Sequence, residues 1–353
     1  MLHYFLILAY IVIVCLLPIK NKRTSLIFCL IPLFFFVVLQ DNWTPDYETY
    51  EDSYLEAHEN WLFSYFSMDY EFGFAILCSL MPTFRWLIAF QMGLFSIALF
   101  IVFYYYIPKR YWILCFLILW TDSNMLIMNL SAMRSCVVAS LFVIAMHLRL
   151  NGKTLLPILI ALPLCLFHKS GILTLPFVIM GRNISKNVLF VVYGVLLVFI
   201  IVGYINPNYL LQTVQTFFAD KDDFGKYAYY TKQSFSSGAS NILMKLILTS
   251  CLIFLMYMEA HLKKINKCHV DFYFMCAIFL YFLQGTGIPM VTRFSTYFGL
   301  FSLVCYTRML QSDKTSLSRL FVLYIVSFNI YYLAFFVTRM GQWETLRVYH
   351  SIF

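Results

Sequence analysis

The chain has 353 residues, of which 62% are hydrophobic and only 12% charged, and its formal net charge is +8. Soluble domains carry about 25% charged residues, and a single core of this size could not bury so much apolar surface. The composition therefore excludes an ordinary soluble protein and predicts an all-α, polytopic integral membrane protein. In such a protein the positive balance reflects Lys and Arg in cytoplasmic loops, so it does not indicate a nucleic-acid partner.

The ten cysteines are scattered, mostly within apolar runs, and form no CxxC pair and no Cys/His spacing typical of metal sites. The sequence also has no serine elbow and no phosphate-binding glycine loop. We therefore expect buried thiols, no metal and no cofactor.

Ten apolar runs are long enough to cross a bilayer, which takes about 17–25 residues. The first has no basic n-region and no small-residue cleavage site, so we predict a span and not a signal peptide. Two other regions are ambiguous: 71–84 is too short to cross, and 154–181 is too long for one span and is interrupted by three prolines, which bend helices. The ten runs are 3–19, 24–40, 86–107, 111–129, 131–150, 187–205, 241–260, 270–289, 294–311 and 317–338.

Six loops are basic, and the positive-inside rule places them in the cytoplasm. All six loops lie on the cytoplasmic side only under two conditions. Residues 71–84 must not cross the membrane, and residues 154–181 must cross to the outer face and return as a broken hairpin with its tip near His168. This predicts about ten to twelve passes with both termini outside. The basic loops are 20–23, 109–110, 149–153, 182–186, 261–267 and 314–319.

Two long loops, 41–70 and 206–240, are then external. From Asp41 to Glu71 the chain has nine acidic residues and no Lys or Arg, which is typical of a solvated loop outside the cytoplasm. No internal repeat or separate soluble domain is visible, so 1–353 is predicted to be a single transmembrane domain.

Ionisable residues at membrane depth are costly and usually functional. Five of them fall at the outer face of this topology, although none was used to set it: Asp46, Arg134, His168, Lys169 and Arg293. Arginine stays charged and binds phosphate through a bidentate fork, so two arginines facing one pocket suit a diphosphate. Histidine accepts a proton near neutral pH, and a carboxylate can orient it or deprotonate a sugar hydroxyl.

Simpler interpretations remain open for each of these residues. Arg134 could extend to lipid headgroups, His168 could be a satisfied core histidine, Arg293 could anchor the topology, and Lys169 could reach only lipid phosphate. Nearby aromatic residues could stack on sugar rings or belong to an interfacial belt, namely Tyr47, Tyr50, Trp43 and Trp61.

The order of short motifs along the whole chain resembles the EpsG-type family of Wzy-like bacterial polysaccharide polymerases. The motifs are PDYETY, YEFGF, MRSCVVASL, LFHKSGILTLP and TRFSTYF. Three positions depart from the family pattern: Pro45 stands in place of glycine, Ser135 in place of glutamine, and Thr292 in place of tyrosine. The matched positions are Asp46, Tyr50, Glu71, Arg134, His168, Ser170 and Arg293.

The resemblance implies a GT-C-like glycosyltransferase that works without a metal at the outer face of the bacterial inner membrane. Its substrate would be an oligosaccharide repeat unit on undecaprenyl diphosphate, which it would polymerise into O-antigen, capsule or exopolysaccharide. Membrane lipid would surround it, and a chain-length regulator protein is a candidate partner.

The resemblance also implies roles for single residues. Arg134 and Arg293 would hold the diphosphate, and His168 or Asp46 would act as base. The remaining residues would bind substrate, namely Glu71, Tyr47, Tyr50, Lys169 and Ser170.

Two other functions stay open: a ligase that moves the glycan to another acceptor, and a transporter or flippase for the same lipid. Transporters usually have repeated halves and charges at the midplane of the membrane, whereas the charges here lie at one face.

Overall fold

The computed structural model describes most of the chain, and the regular secondary structure within the described residues is helical, which confirms the all-α prediction. The residues form two compact units, Met1–Ile179 with Gly299–Phe353, and Met180–Phe298. The described residues are 2–42, 44, 46–59, 71–122, 125–181, 191–192, 194–196, 198, 238–266, 271–286, 289–312 and 316–339.

The helices vary in length from single turns to long apolar rods. A π-helical turn, Val102–Tyr106, continues α5, and 3₁₀ turns lie at Lys109–Tyr111 and Lys169–Thr174. The α-helices are α1 (Leu2–Leu16), α2 (Lys22–Val38), α3 (Tyr47–Glu59), α4 (Phe72–Leu80), α5 (Phe84–Ile101), α6 (Trp112–Thr121), α7 (Ile127–Ser131), α8 (Met133–Leu150), α9 (Leu155–Ala161), α10 (Leu164–Phe167), α11 (Leu175–Met180), α12 (Gly238–Asn266), α13 (Phe272–Gly285), α14 (Pro289–Arg293), α15 (Thr296–Ser312) and α16 (Ser316–Arg339).

Several helices have the length and composition of membrane spans. Among the described residues, four qualify fully, and shorter apolar helices of 10–17 residues accompany them. This confirms a polytopic membrane protein, whereas the count of ten to twelve passes stays a prediction. The four are Phe84–Tyr106, Met133–Leu150, Leu246–Lys264 and Ser316–Ala334.

Large apolar side chains cover the outside of the first unit. On α1, Leu6 and Ile13 are 55% and 58% exposed, and on α16, Leu320 and Leu323 are 58% and 62% exposed. Contiguous apolar surface of this kind is unfavourable in water but matches a hydrocarbon surrounding. The exposed faces of α1 and α16 therefore fit contact with lipid.

Buried hydrogen bonds tie helices of the first unit together. The Tyr4 hydroxyl donates to the Trp120 carbonyl at 2.6 Å, and the Trp120 indole N–H donates to the Tyr4 carbonyl at 3.0 Å, which joins α1 to α6. Arg85 donates to the carbonyl of Val38 at 3.0 Å and to that of Gln40, so it satisfies carbonyl groups at the end of α2. The second contact fixes the chain just before α3.

Two predicted spans have boundaries that differ from those of the helices in the structure. The span 111–129 is two helices, since α6 ends at Thr121 and the Asp122 carbonyl accepts the N–H groups of Met125 and Leu126 in a turn. The span 294–311 begins only at Thr296, after a turn in which the Ser295 N–H binds the Thr292 carbonyl at 3.0 Å. Both breaks leave helix ends within apolar sequence.

The first loop that was predicted to be external contains a helix that the sequence interpretation did not include. α3 buries Tyr47, Tyr50, Tyr54 and Ala57, which recur at helical spacing, and presents its acidic residues outward. The described residues do not include 60–70 of that loop, 206–237 of the second loop that was predicted to be external, or most of the predicted span 187–205.

Candidate functional site

An ion pair joins α8 to the start of α4. Arg134 is the second residue of α8, where a positive charge is unfavourable against the helix dipole. Its Nη1 donates to Glu71 Oε2 at 2.5 Å, with side chains 19% and 10% exposed respectively. The carboxylate of Glu71 therefore supplies a compensating negative charge within the protein.

Glu71 also reaches a second partner. It occupies the N-cap position of α4 with extended backbone, but its carboxylate does not cap that helix. Instead Oε1 accepts the backbone N–H of Lys169 at 2.8 Å. Glu71 therefore bridges Arg134 and the turn that carries His168.

The charge state of Glu71 follows from these contacts. Burial alone would raise the pKa of its carboxyl, but Arg134, His168 and the Lys169 N–H outweigh burial and lower this pKa below its usual value. Glu71 is therefore ionised at neutral pH, which suits positioning and charge compensation and not proton donation.

His168 lies in a sharp turn between α10 and the 3₁₀ segment Lys169–Thr174. Its backbone is extended, with φ −158° and ψ 124°, and its side chain caps the 3₁₀ segment. Nδ1 accepts the backbone N–H of Ser170 at 3.3 Å and lies 2.6 Å from the Ser170 hydroxyl. The region 154–181 is thus divided into short pieces, α9, α10, the 3₁₀ segment and α11, with His168 at a break between them.

Two glycines allow this turn to pack closely. A Cβ on Gly73 of α4 would lie 2.8 Å from the Leu166 carbonyl oxygen, and one on Gly171 would lie 2.7 Å from that of Leu164. Neither distance is compatible with a side chain unless backbone moves. The glycines therefore let α10 rest against both α4 and the His168 turn.

Asp46 lies at the start of α3, against the break between α7 and α8. Its Oδ2 accepts the hydroxyl of Ser131 at 3.0 Å, and its carbonyl accepts the Tyr50 N–H at 3.0 Å. Tyr50 is 6% exposed, contacts the Arg134 guanidinium through its side chain and packs edge-on against Phe74 with ring centroids 5.6 Å apart. The carboxylate of Asp46 therefore contacts the break between α7 and α8, just before Arg134.

The structure brings most predicted site residues into one connected group within the first unit. We call this group the outer cluster; its members are Asp46, Tyr50, Glu71, Ser131, Arg134, His168 and Ser170. Lys169 contributes its backbone N–H to the cluster, while its side chain is exposed.

Other predicted residues lie elsewhere. The Tyr47 hydroxyl donates to Asp41 at 3.4 Å, and its ring packs on Phe84 with centroids 5.1 Å apart. Arg293 ends α14, a helix of five residues in the second unit. Trp43 and Trp61 lie outside the described residues.

Sequence reasoning missed three contributors. Ser131 was not considered, although it stands three residues before Arg134 in NLSAMR. The two glycines, Gly73 and Gly171, were visible within the quoted motifs YEFGF and HKSG, but only a folded structure shows what they approach. Within the described part of the chain, no three His, Cys, Asp or Glu residues are grouped so that they could hold a metal ion.

Comparison with known proteins gives one family. The model of the EpsG family matches residues 25–351, nearly the whole chain. Among curated proteins and among solved structures, none matches.

Proposed function

Since the chain belongs to the EpsG family, whose type is the bacterial polysaccharide polymerase, we propose that it polymerises lipid-linked oligosaccharide repeat units. The donor is a growing glycan on undecaprenyl diphosphate, and the acceptor is the next lipid-linked unit. The observation that carries the proposal is the outer cluster: a guanidinium, two carboxylates and a histidine, drawn together from four segments that are distant in sequence.

Arg134 is assigned to the diphosphate. A guanidinium has five N–H donors in a rigid fork, so it can bind a carboxylate on one edge and phosphate oxygens on another. When the glycosidic C–O bond to the diphosphate breaks, negative charge develops on the departing phosphate oxygen. A cation fixed beforehand by Glu71 stabilises this charge without reorganisation, and such interactions are often the largest catalytic contribution.

Glu71 is assigned a positioning role. It binds Arg134 and the Lys169 N–H at once, so it sets the distance between the cation and the His168 turn. Tyr50, which contacts Arg134, supports the same guanidinium from α3. This support matters because misplacement of a catalytic group by about 1 Å costs roughly 100-fold in rate.

The acceptor hydroxyl needs a base, and the cluster offers two, His168 and Asp46. His168 lies at a break between two helical segments, and Asp46 immediately precedes α3. For Arg293 we propose a phosphate contact, and the support is its residue type, since a guanidinium binds phosphate through a bidentate fork.

We place the protein in the bacterial inner membrane with the outer cluster facing the periplasm. The support is the loop charge: the segment that carries Asp46 and Glu71 has nine acidic residues and no Lys or Arg, whereas the six basic loops fall together on the other side. A lipid carrier that presents its glycan outside the cytoplasm would meet the cluster at that face.

Ligation of the glycan to a different acceptor is the second candidate, because it breaks the same bond to diphosphate. Transport of the lipid is less well supported. An ion-paired arginine, a histidine and a second carboxylate suit the breaking of a glycosidic bond better than the movement of a lipid across the membrane. Offering purified protein an acceptor other than the lipid-linked unit separates ligase from polymerase.

The experiment is a product ladder. Purified protein is incubated with the lipid-linked oligosaccharide fraction extracted from cells of the source bacterium that lack this protein. Polymerase activity produces a ladder of glycans spaced by one repeat unit. A fraction that is recovered unchanged, with protein that remains folded, would refute the proposal.

A further inference from the structure

The hydrogen bonds around His168 fix which ring nitrogen carries the proton. The backbone N–H of Ser170 points at Nδ1 from 3.3 Å, and a backbone N–H can only donate. Nδ1 must therefore present its lone pair in this arrangement. In a neutral imidazole the single proton then resides on Nε2.

The orientation of the ring is not ambiguous. Rotating it by 180° would place the carbon Cδ2 where Nδ1 now stands, 2.6 Å from the Ser170 hydroxyl oxygen. Weak C–H···O contacts lie at about 3.3–3.6 Å, so a carbon cannot occupy that position. The hydroxyl therefore also donates to Nδ1, and Ser170 holds this nitrogen with two groups.

We infer that His168 serves the transfer as a hydrogen-bond donor through Nε2–H, that Ser170 fixes this tautomer, and that Asp46 is the base. The inference rests on the proposed function and decides between the two bases that it left open. A base at Nε2 would need its lone pair there, and the proton would have to sit on Nδ1, opposite the N–H of Ser170.

The step balances with these assignments. The acceptor hydroxyl oxygen forms a bond to the anomeric carbon of the donor glycan while the bond from that carbon to the diphosphate oxygen breaks. The electron pair of that bond stays on the diphosphate, where Arg134 and the Nε2–H of His168 stabilise it. The hydroxyl proton passes to the carboxylate of Asp46, which Ser131 orients through Oδ2.

The charged groups around His168 are consistent with a donor. Two helices packed against its turn present Glu71, from α4, and Arg134, from α8, and Lys169 follows it in the chain. Glu71 favours a positive ring, whereas Arg134 and the Ser170 N–H disfavour one. Neutral or protonated, the ring keeps a proton on Nε2, so donation does not depend on its charge state.

The tautomer is tested directly by ¹⁵N NMR of histidine-labelled protein in detergent. The two nitrogens of a neutral imidazole have well-separated shifts, and the His168 signals are those lost in His168→Gln. An unprotonated Nδ1 with a protonated Nε2 is expected. A neutral ring whose proton is on Nδ1 overturns the inference, and this readout requires no substrate and no activity.

Activity variants test the role, with the ladder assay on the extracted lipid-linked fraction. Glutamine places an N–H near the position of Nε2 but cannot act as a base. His168→Gln should therefore retain at least tenfold more activity than His168→Ala, which loses about 10²–10³-fold as an electrostatic contact. His261→Gln, on α12, is the matched control and should keep wild-type activity.

Three further results decide the assignment. Wild-type activity should fall less than twofold between pH 7 and 5.5, whereas a histidine base of ordinary pKa, about 6.5, would lose about eightfold. Asp46→Asn should be inactive while Asp52→Asn is active. Ser170→Ala should slow wild type but add nothing to His168→Gln, because a positioning residue acts only through the histidine it holds.

The outcomes are distinguishable. If wild type produces no ladder, the proposed function fails, and the NMR result still decides the tautomer. If wild type produces a ladder but His168→Gln is as inactive as His168→Ala, or Asp46→Asn is active, the inference fails and the proposed function stands.

Discussion

Glu71→Gln is the substitution that most sharply probes the outer cluster. Glu71 accepts two hydrogen bonds on two different oxygens, from Arg134 at 2.5 Å and from the Lys169 N–H at 2.8 Å. Glutamine has one acceptor oxygen, so its amide nitrogen must face one of the two donors. It also removes the negative charge, which leaves Arg134, 19% exposed, without the carboxylate that compensates it.

The expected loss of stability follows from these numbers. Breaking a fully buried ion pair by removing one partner costs about 3–5 kcal/mol. Slight solvent access and the one surviving hydrogen bond reduce this, so we expect about 2–4 kcal/mol. The measurement is thermal unfolding of purified protein in detergent, with Glu59→Gln, an exposed carboxylate on α3, as the matched control. The control should lie within about 0.5 kcal/mol of wild type.

A double-mutant cycle identifies the source of the loss. Glu71→Gln combined with Arg134→Gln should cost less than the sum of the single changes by about 1–3 kcal/mol, because the two residues are in contact. A Glu71→Gln protein as stable as the Glu59→Gln control, or strict additivity in the cycle, would refute the ion pair as a structural link.

The effect should also depend on pH. The pKa of Glu71 is lowered in the folded protein, so its stabilising contribution is fully present above the ordinary glutamate value of about 4.3 and is lost as pH falls through the lower folded value. The stability difference between wild type and Glu71→Gln should therefore be constant from pH 8 to 5 and shrink below about pH 4. A difference that disappears between pH 8 and 6 would contradict this.

Two further predictions concern the turn and the topology. Gly171→Ala should cost about 1–3 kcal/mol in thermal unfolding because its Cβ would lie 2.7 Å from the Leu164 carbonyl oxygen. Gly93→Ala, with open space around it, is the control and should be neutral or stabilising. Equal effects of the two substitutions would contradict the close packing at Gly171. In cells carrying the protein without its native cysteines, a membrane-impermeant thiol reagent should label His58→Cys but not Lys264→Cys. Labelling of Lys264→Cys would reverse the orientation.

Local signals in the sequence predicted the membrane class and the helical fold and drew attention to Asp46, Arg134 and His168, whereas Tyr50, Glu71 and Ser170 were matched through the family resemblance. Apolar length reveals spans, and an ionisable residue in apolar sequence stands out wherever it ends up in the fold. Arg134 and His168 were found in this way. The identity of Glu71 as the partner of Arg134 could not be derived from the sequence, because 63 residues separate them. Only the packing of the helices decides which carboxylate contacts this arginine.

The errors also have physical causes. The span 111–129 was drawn through Asp122 because hydropathy averages over a window, while the extended backbone of this one residue, with φ −82° and ψ 106°, ends α6. α3 was taken as loop because its acidic residues dominate the composition, although its buried tyrosines recur at helical spacing. Hydropathy therefore indicates whether a segment suits lipid or water, but it does not locate the hydrogen bonds at which a helix begins or ends.

The most direct test of the proposed polymerase is the product ladder formed by Arg134→Lys beside Arg23→Lys. Lysine keeps the charge but offers a point charge in place of a planar fork that holds Glu71 and phosphate together. Wild type and Arg23→Lys, at the exposed start of α2, should form a ladder, and Arg134→Lys should leave the lipid-linked units unextended although it folds. A full ladder from Arg134→Lys would contradict the assignment of this arginine to the diphosphate, and with it the proposed mechanism.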